Sequence, residues 1–295
     1  WLPVPEHCAV AGKHGCLLLV PYGRRNTDFQ GVGEVDVLAS LRQVRQAFNV
    51  DPDRIYLSGV SMGGMGAWNI ALRHPGLFAA VTPMCGQTDM FRWWGWPREQ
   101  TPPWKRWLIE WDNALDQVPN ARNQNIFVQH GELDNLIPVE QTRLMVEATR
   151  QQGTPIKCLE QAGESHYIYF RTETYENAWS WQKQFTLDRS PRRVDLKLYS
   201  LEYHQAFWLT VEALGQWGTP GTVTAEVSPE KTRLSLTTDN VTAVTIDSRA
   251  ARLPEGCTFV WNGRPVTGQP GPDGTIALRP EAPPATALQK RRGLC

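Results

Sequence analysis

At 295 residues the chain has the length for a complete hydrophobic core and for a second, smaller domain beside it. Lys and Arg balance Asp and Glu to a formal net charge of +0, and no apolar run is long enough to cross a bilayer, so neither nucleic acid nor membrane is an expected partner. Cys8, Cys16, Cys85, Cys158, Cys257 and Cys295 are scattered, with no C-x-x-C pair and no Cys/His group at metal-ligand spacing, which favours buried free thiols over disulfides and gives no metal site. Trp1 stands first, with no charged stretch and apolar core after it; the chain reads as a fragment whose front, with any targeting signal, is missing.

From Cys16 to Phe170 short apolar runs alternate with amphipathic stretches, the pattern of βαβ units around a mainly parallel sheet. Leu17-Leu18-Leu19-Val20 predicts a buried strand that Pro21 ends. Val37, Leu38, Leu41, Val44 and Phe48 recur at helical spacing, and Asp51-Pro52-Asp53 turns the chain into a strand at Arg54-Ile55-Tyr56-Leu57-Ser58. A helix over residues 64–73 comes next. Strands follow at Ala79-Ala80-Val81-Thr82-Pro83, Ile126-Phe127-Val128-Gln129 and Ile156-Lys157-Cys158-Leu159-Glu160, with a helix over residues 138–151 between the last two and another over residues 174–187. Between Met90 and Trp111 the pattern breaks: Trp93, Trp94, Trp96, Trp104, Trp107 and Trp111 crowd together with three prolines, an insertion or cap rather than sheet.

Arg189-Ser190-Pro191-Arg192-Arg193 marks a boundary that divides the chain into residues 1–189, of α/β character, and residues 190–295, where Val, Thr and alternating segments predict a smaller all-β, sandwich-like module. Strands are read at residues 222–227, 234–236 and 241–246, and Asn262-Gly263 is a strong two-residue hairpin signal. The tail after Pro280, rich in Pro and Ala and then basic, reads as mobile.

Gly59-Val60-Ser61-Met62-Gly63 matches G-x-S-x-G, with a strand running into it and a helix leaving it, the setting of a nucleophile elbow. A serine on so sharp a turn sits in strained backbone, and the flanking glycines let neighbouring chain segments approach closely enough to hold it. The helix N-terminus turns backbone N–H groups toward the site, so the amide of Met62 is the candidate oxyanion donor. A serine nucleophile needs a base, and the base an orienting carboxylate. Asp134 lies in the loop after the strand ending at Gln129, and His166 in the loop after the last strand; the order Ser, Asp, His is that of α/β-hydrolases. Position selects His166 from six histidines. Glu132, so close to its strand end, is read as loop scaffolding, and His130 as structural.

Pro21-Tyr22-Gly23, Asp51 through Leu57, Gly59 through Gly64, His74-Pro75 with Phe78-Ala79-Ala80, and His130-Gly131 through Pro138 together resemble the esterase and prolyl-oligopeptidase-like branch of the α/β-hydrolases, which includes feruloyl esterases and polyhydroxybutyrate depolymerases. The resemblance covers about residues 10–185. It implies an α/β-hydrolase sheet with flanking helices, a Ser61–Asp134–His166 triad working through an acyl-enzyme, no metal or organic cofactor, a small-molecule or glycan-linked ester as substrate, and a secreted or periplasmic location. Met62 followed by Gly63-Gly64 is closer to the esterases than to the peptidases. Family members carry a His-Gly loop upstream that supplies a second oxyanion amide; this chain holds no such segment, which leads to an expectation of weak activity for the fragment.

Two rivals stay open: a serine peptidase of the prolyl-oligopeptidase kind, and a non-catalytic carbohydrate-binding protein on a relic hydrolase scaffold. Trp93, Trp94 and Trp96 likewise admit two roles, packing a cap onto the sheet or stacking on a phenolic or sugar group of the substrate. For the β-module, structural support is favoured over sugar binding.

Overall fold

A computed structural model describes residues 5–280 and 290–291. Its first elements are α1 (Pro5–Lys13), α2 (Val32–Ala47), β1 (Tyr56–Val60), α3 (Met62–Arg73), β2 (Ala80–Met84), α4 (Met90–Trp94), α5 (Pro103–Asp112), β3 (Ile126–Gly131), α6 (Glu140–Gln151), β4 (Ile156–Gln161) and α7 (Thr172–Gln182). The four strands form one parallel sheet in the order β1-β2-β3-β4. A parallel sheet is covered on both faces, so its inner strands read as continuous apolar runs, and every residue of β2 and β3 is buried. Helix α3 is apolar on two sides for the same reason. Its Trp68 and Leu72 pack with Ile126, Val128 and Met145, while Ala67, Ile70 and Ala71 pack with Val37, Ile55 and Val81. Each large apolar chain so buried stabilises the fold by about 1.5–3 kcal/mol. This is the α/β-hydrolase architecture that the strand and helix pattern predicts.

Leu17-Leu18-Leu19-Val20 corrects that reading. It is irregular chain, not a buried strand, and Leu17 is 62% exposed with Leu19 and Val20 also facing solvent. Apolar composition alone does not make a strand; the backbone must find a ladder, and among the described residues β1, at the sheet's end, pairs with β2 only. Before this segment stands α1, which the sequence reading lacks although Pro5 at its first position and Lys13 in its last turn sit where helix ends favour them.

The chain forms two compact units. One gathers the residues up to Leu72, Leu77–Thr101 and Asp112–Leu187; the other gathers Arg73–Gly76, Pro102–Trp111 and the chain from Asp188 on. The tryptophan-rich stretch is thereby split, α4 with Trp93 and Trp94 belonging to the first unit and α5 with Trp104, Trp107 and Trp111 to the second.

The second unit carries β5 (Arg193–Leu198), β6 (Gln205–Ala206), β7 (Leu209–Leu214), β8 (Gly221–Val227), β9 (Arg233–Asp239), β10 (Val241–Asp247), β11 (Thr258–Trp261), β12 (Arg264–Val266), β13 (Gln269–Pro270), β14 (Thr275–Leu278) and β15 (Lys290–Arg291). One sheet runs β13-β14-β10-β7-β15, with β6 also on β7, and the other runs β12-β11-β9-β8-β5. Pairing is antiparallel except between β9 and β11. Alternate residues of β5 and β8 point inward, and Val194, Leu196, Val223, Val211 and Ile246 join one core drawn from both sheets. Asn262 and Gly263 link β11 to β12 with φ of 47° and 79°, the two positive values that a type I′ turn demands.

All five described cysteines are free. Of these only Cys85 is buried: Cys8 is exposed, and Cys16, Cys158 and Cys257 are half-buried, so the expected burial of the thiols is corrected for those four. Cys295 and the tail after Pro280, apart from residues 290–291, lie outside the described residues.

Candidate active site

Strand β1 ends at Val60, α3 begins at Met62, and Ser61 between them is forced to a φ of 58°, a left-handed conformation that ordinary residues avoid. The glycines around it have steric reasons. A Cβ on Gly59 would meet the carbonyl oxygen of Gly63 at 1.9 Å, and one on Gly64 would meet that of Met84 at 2.3 Å. The amide of Ser61 donates to Met84 O at 2.9 Å, so Ser61 hangs from the end of β2. Met62 is the first residue of α3, where N–H groups have no partner one turn back.

Asp134 follows β3 in a tight turn. Its Oδ1 accepts the amides of Leu136 and Ile137 at 2.9 and 2.8 Å, which fixes the carboxylate and leaves Oδ2 for a histidine. His166 opens a 3₁₀ turn, residues 166–170, after β4. The two loops are joined by backbone: Glu132 N donates to Gln161 O at 3.0 Å and Leu133 N to Glu164 O at 2.8 Å. They approach so closely that a Cβ on Gly131 would lie 2.1 Å from Ser165 O. Glu132, the rival acid, turns away and accepts the Gly163 amide at 3.0 Å.

Three side chains meet as a result. His166 Nδ1 lies 2.7 Å from Asp134 Oδ2, and His166 Nε2 lies 2.9 Å from Ser61 Oγ. With the proton on Nδ1 donated to the carboxylate, Nε2 is the acceptor for the serine hydroxyl. His166 and Asp134 are buried, so the hydrogen bond between them lies where water competes little.

Two further groups touch it. His130 is wholly buried; its Nδ1 is 2.7 Å from Thr142 Oγ1, and its Nε2 is 2.8 Å from Ile137 O and 3.2 Å from Asp134 Oδ2. Burial holds its pKa below the usual histidine value. Cys85, just past β2, has its thiol pushed up to about 12, chiefly by burial and in part by Asp134 beside it. Neither role was legible from spacing, although Cys85 shares the one signal that was informative, a position just beyond the C-terminal end of a strand.

Ser61 and Met62 also border a cavity of about 240 Å³ in the first unit, lined by Phe29, Val60, Met84, Tyr169 and Tyr175 among others. Trp93, Trp94 and Trp96 are not among its lining residues. They lie on α4 and just after it, between 37% and 45% exposed, with the rings of Trp94 and Trp96 4.9 Å apart.

Known proteins share similarity with part of this chain. The model of the prolyl oligopeptidase family matches residues 26–188. An uncharacterized peptidase, YtmA, of Bacillus subtilis (strain 168) is 26% identical over 156 residues, which cover 50% of this chain and 60% of that protein; the chain thus spans less than two thirds of its relative's length. Among solved structures, a thermostable esterase is 25% identical with a TM-score of 0.41 over 52% of this chain and 36% of its own. The acylaminoacyl peptidase of Pyrococcus horikoshii is 16% identical with a TM-score of 0.46 over 54% and 28%.

Proposed function

Because the chain belongs to the prolyl oligopeptidase family of α/β-hydrolases, we propose that it is a serine hydrolase that cleaves carboxylic esters through an acyl-enzyme on Ser61. The observation that carries this reading is the unbroken relay of 2.9 Å from Ser61 to His166 and 2.7 Å from His166 to Asp134. His166 takes the hydroxyl proton as Ser61 attacks the carbonyl, and Asp134 holds the imidazole in the required tautomer and stabilises the imidazolium. The amide of Met62, at the positive end of α3, receives the developing oxyanion. The imidazolium gives the hydroxyl proton to the alcohol oxygen as the ester C–O bond breaks and the alcohol leaves the acyl-enzyme. Water then attacks the acyl carbon while His166 takes its proton, and His166 returns the proton to the Ser61 oxygen as the acid leaves. Protein groups and water suffice for every step.

The cavity beside Ser61 supports an apolar or aryl acyl group, since its walls are mainly aliphatic and aromatic. The exposed rings of Trp94 and Trp96, with Trp93, are assigned to the phenolic or sugar part of the ester. The β-rich unit is assigned as an accessory, sandwich-like module outside the chemistry. Similarity to a curated peptidase favours a second reading, amide hydrolysis by the same three residues. A fluorophosphonate should label Ser61, and aryl esters should turn over faster than proline-containing peptide amides. Absence of labelling would defeat both readings, and faster amide cleavage would select the second.

A further inference from the structure

Beyond the relay, the fold brings a third kind of donor to the same point. The sulfur of Cys85, a carboxylate oxygen of Asp134 and a ring nitrogen of His166 all lie within 4.8 Å of one another, and all three residues are buried. They arrive from three different loops, after β2, β3 and β4 respectively, which is why no spacing along the chain announces them. Each is held from outside the cluster: the amide of Cys85 donates to Gln129 O at 3.0 Å, Asp134 is fixed by the amides of residues 136 and 137, and the His166 loop is bonded to the Asp134 loop.

We propose that Cys85, Asp134 and His166 form an inhibitory site for a soft divalent cation of the zinc class. The inhibition rests on the hydrolase reading given above; the binding does not. Thiolate, imidazole and carboxylate are the ligand types of zinc, and on a tetrahedral ion with bonds of about 2.0–2.3 Å neighbouring ligand atoms stand roughly 3.3–3.8 Å apart. Side-chain shifts of about an ångström would close the cluster on the ion, with the remaining position left to water. On binding, the Cys85 S–H bond breaks, its electron pair becomes the S–metal bond and one proton is released to solvent. The ion also takes the lone pair at His166 Nδ1, so the imidazole's single proton moves to Nε2. In that tautomer Nε2 faces Ser61 as a donor and cannot accept the hydroxyl proton. Magnesium and calcium, which prefer oxygen ligands, gain nothing from this set.

The test reads binding and chemistry separately. Equilibrium dialysis of the chain with Zn²⁺ should give a saturable site, and Co²⁺ in its place should show a sulfur-to-cobalt charge-transfer band in the near ultraviolet. Cys85→Ser and Cys85→Ala should each weaken Zn²⁺ binding at least tenfold and remove the band, while Cys8→Ser, which alters the exposed thiol, should leave both intact. Zn²⁺ should suppress fluorophosphonate labelling of Ser61 and any ester turnover, each measured against the same protein without metal; EDTA should restore them and Mg²⁺ should have no effect. Unchanged Zn²⁺ affinity in both Cys85 variants, or absence of the cobalt band, overturns the site. Tight binding through Cys85 with undiminished labelling overturns the inhibition. If no labelling occurs in metal-free protein, the hydrolase reading fails and the dialysis result still decides the site.

Discussion

His130 and His166 converge on a single atom: Oδ2 of Asp134 lies 3.2 Å from Nε2 of His130 and 2.7 Å from Nδ1 of His166. Two imidazoles on one carboxylate oxygen can both donate to it while neutral, but a charge on His130 would sit buried beside an imidazole that must itself become cationic during the proposed reaction. Burial is the largest influence on His130 and lowers its pKa; the Ile137 carbonyl and Asp134 pull it upward, and His166 pulls it down.

From this follows a pH dependence of stability. The unfolded chain protonates His130 near the ordinary histidine value, about 6.5, whereas the folded chain resists until a lower pH. Between the two values the unfolded state binds more protons, so stability is full above about pH 6.5 and falls with acidification at up to about 1.4 kcal/mol per pH unit from this residue. Urea midpoints at pH 7.5 and 5.5 should differ less in His130→Gln than in the native chain. An equal difference in both would assign the acid sensitivity elsewhere.

Ser61→Ala should lower kcat on an aryl ester by about 10⁶ with KM little changed, because the hydroxyl acts in the transition state rather than in binding. Asp134→Asn should lower kcat by about 10⁴, since the amide leaves the imidazole in the wrong tautomer. Steady-state kinetics on p-nitrophenyl esters measures both. Retention of a tenth of the activity by either variant would contradict its assigned role.

Gly131→Ala places a methyl group against backbone, 2.1 Å from Ser165 O, where no side-chain rotation can relieve it. The loops of Asp134 and His166 must move apart. We expect a loss of roughly 1–3 kcal/mol of stability and a fall in kcat larger than any change in KM, read by thermal melts alongside kinetics.

Replacing Trp93, Trp94 and Trp96 together by Ala should raise KM on aryl or sugar esters while sparing small acetate esters. Equal KM values on all substrates would remove them from the binding surface.

Much of the fold was legible because its signals are local. The buried runs at β2 and β3 have the composition that an enclosed parallel strand requires, and Asn262-Gly263 announces its hairpin through backbone conformation alone. Ser61, Asp134 and His166 could be nominated because each follows a strand in a known order. Leu17-Leu18-Leu19-Val20 failed the same reading, since composition describes a side-chain environment and pairing is a property of the neighbour. Cys85 and His130 were invisible as partners of Asp134 for a related reason: their significance lies in which loops the sheet brings side by side, a fact spread over strands far apart in the chain.

The stitching of the Asp134 and His166 loops to each other, while Ser61 is tethered separately to β2, divides the proposed relay into an Asp134–His166 pair and an independently mounted Ser61. Local melting of either mounting uncouples them at one hinge point, the single 2.9 Å contact between Nε2 and Oγ. Under the proposed mechanism turnover should therefore be lost before the fold as heat or denaturant rises, and the gap between inactivation and unfolding should measure how loosely Ser61 is moored.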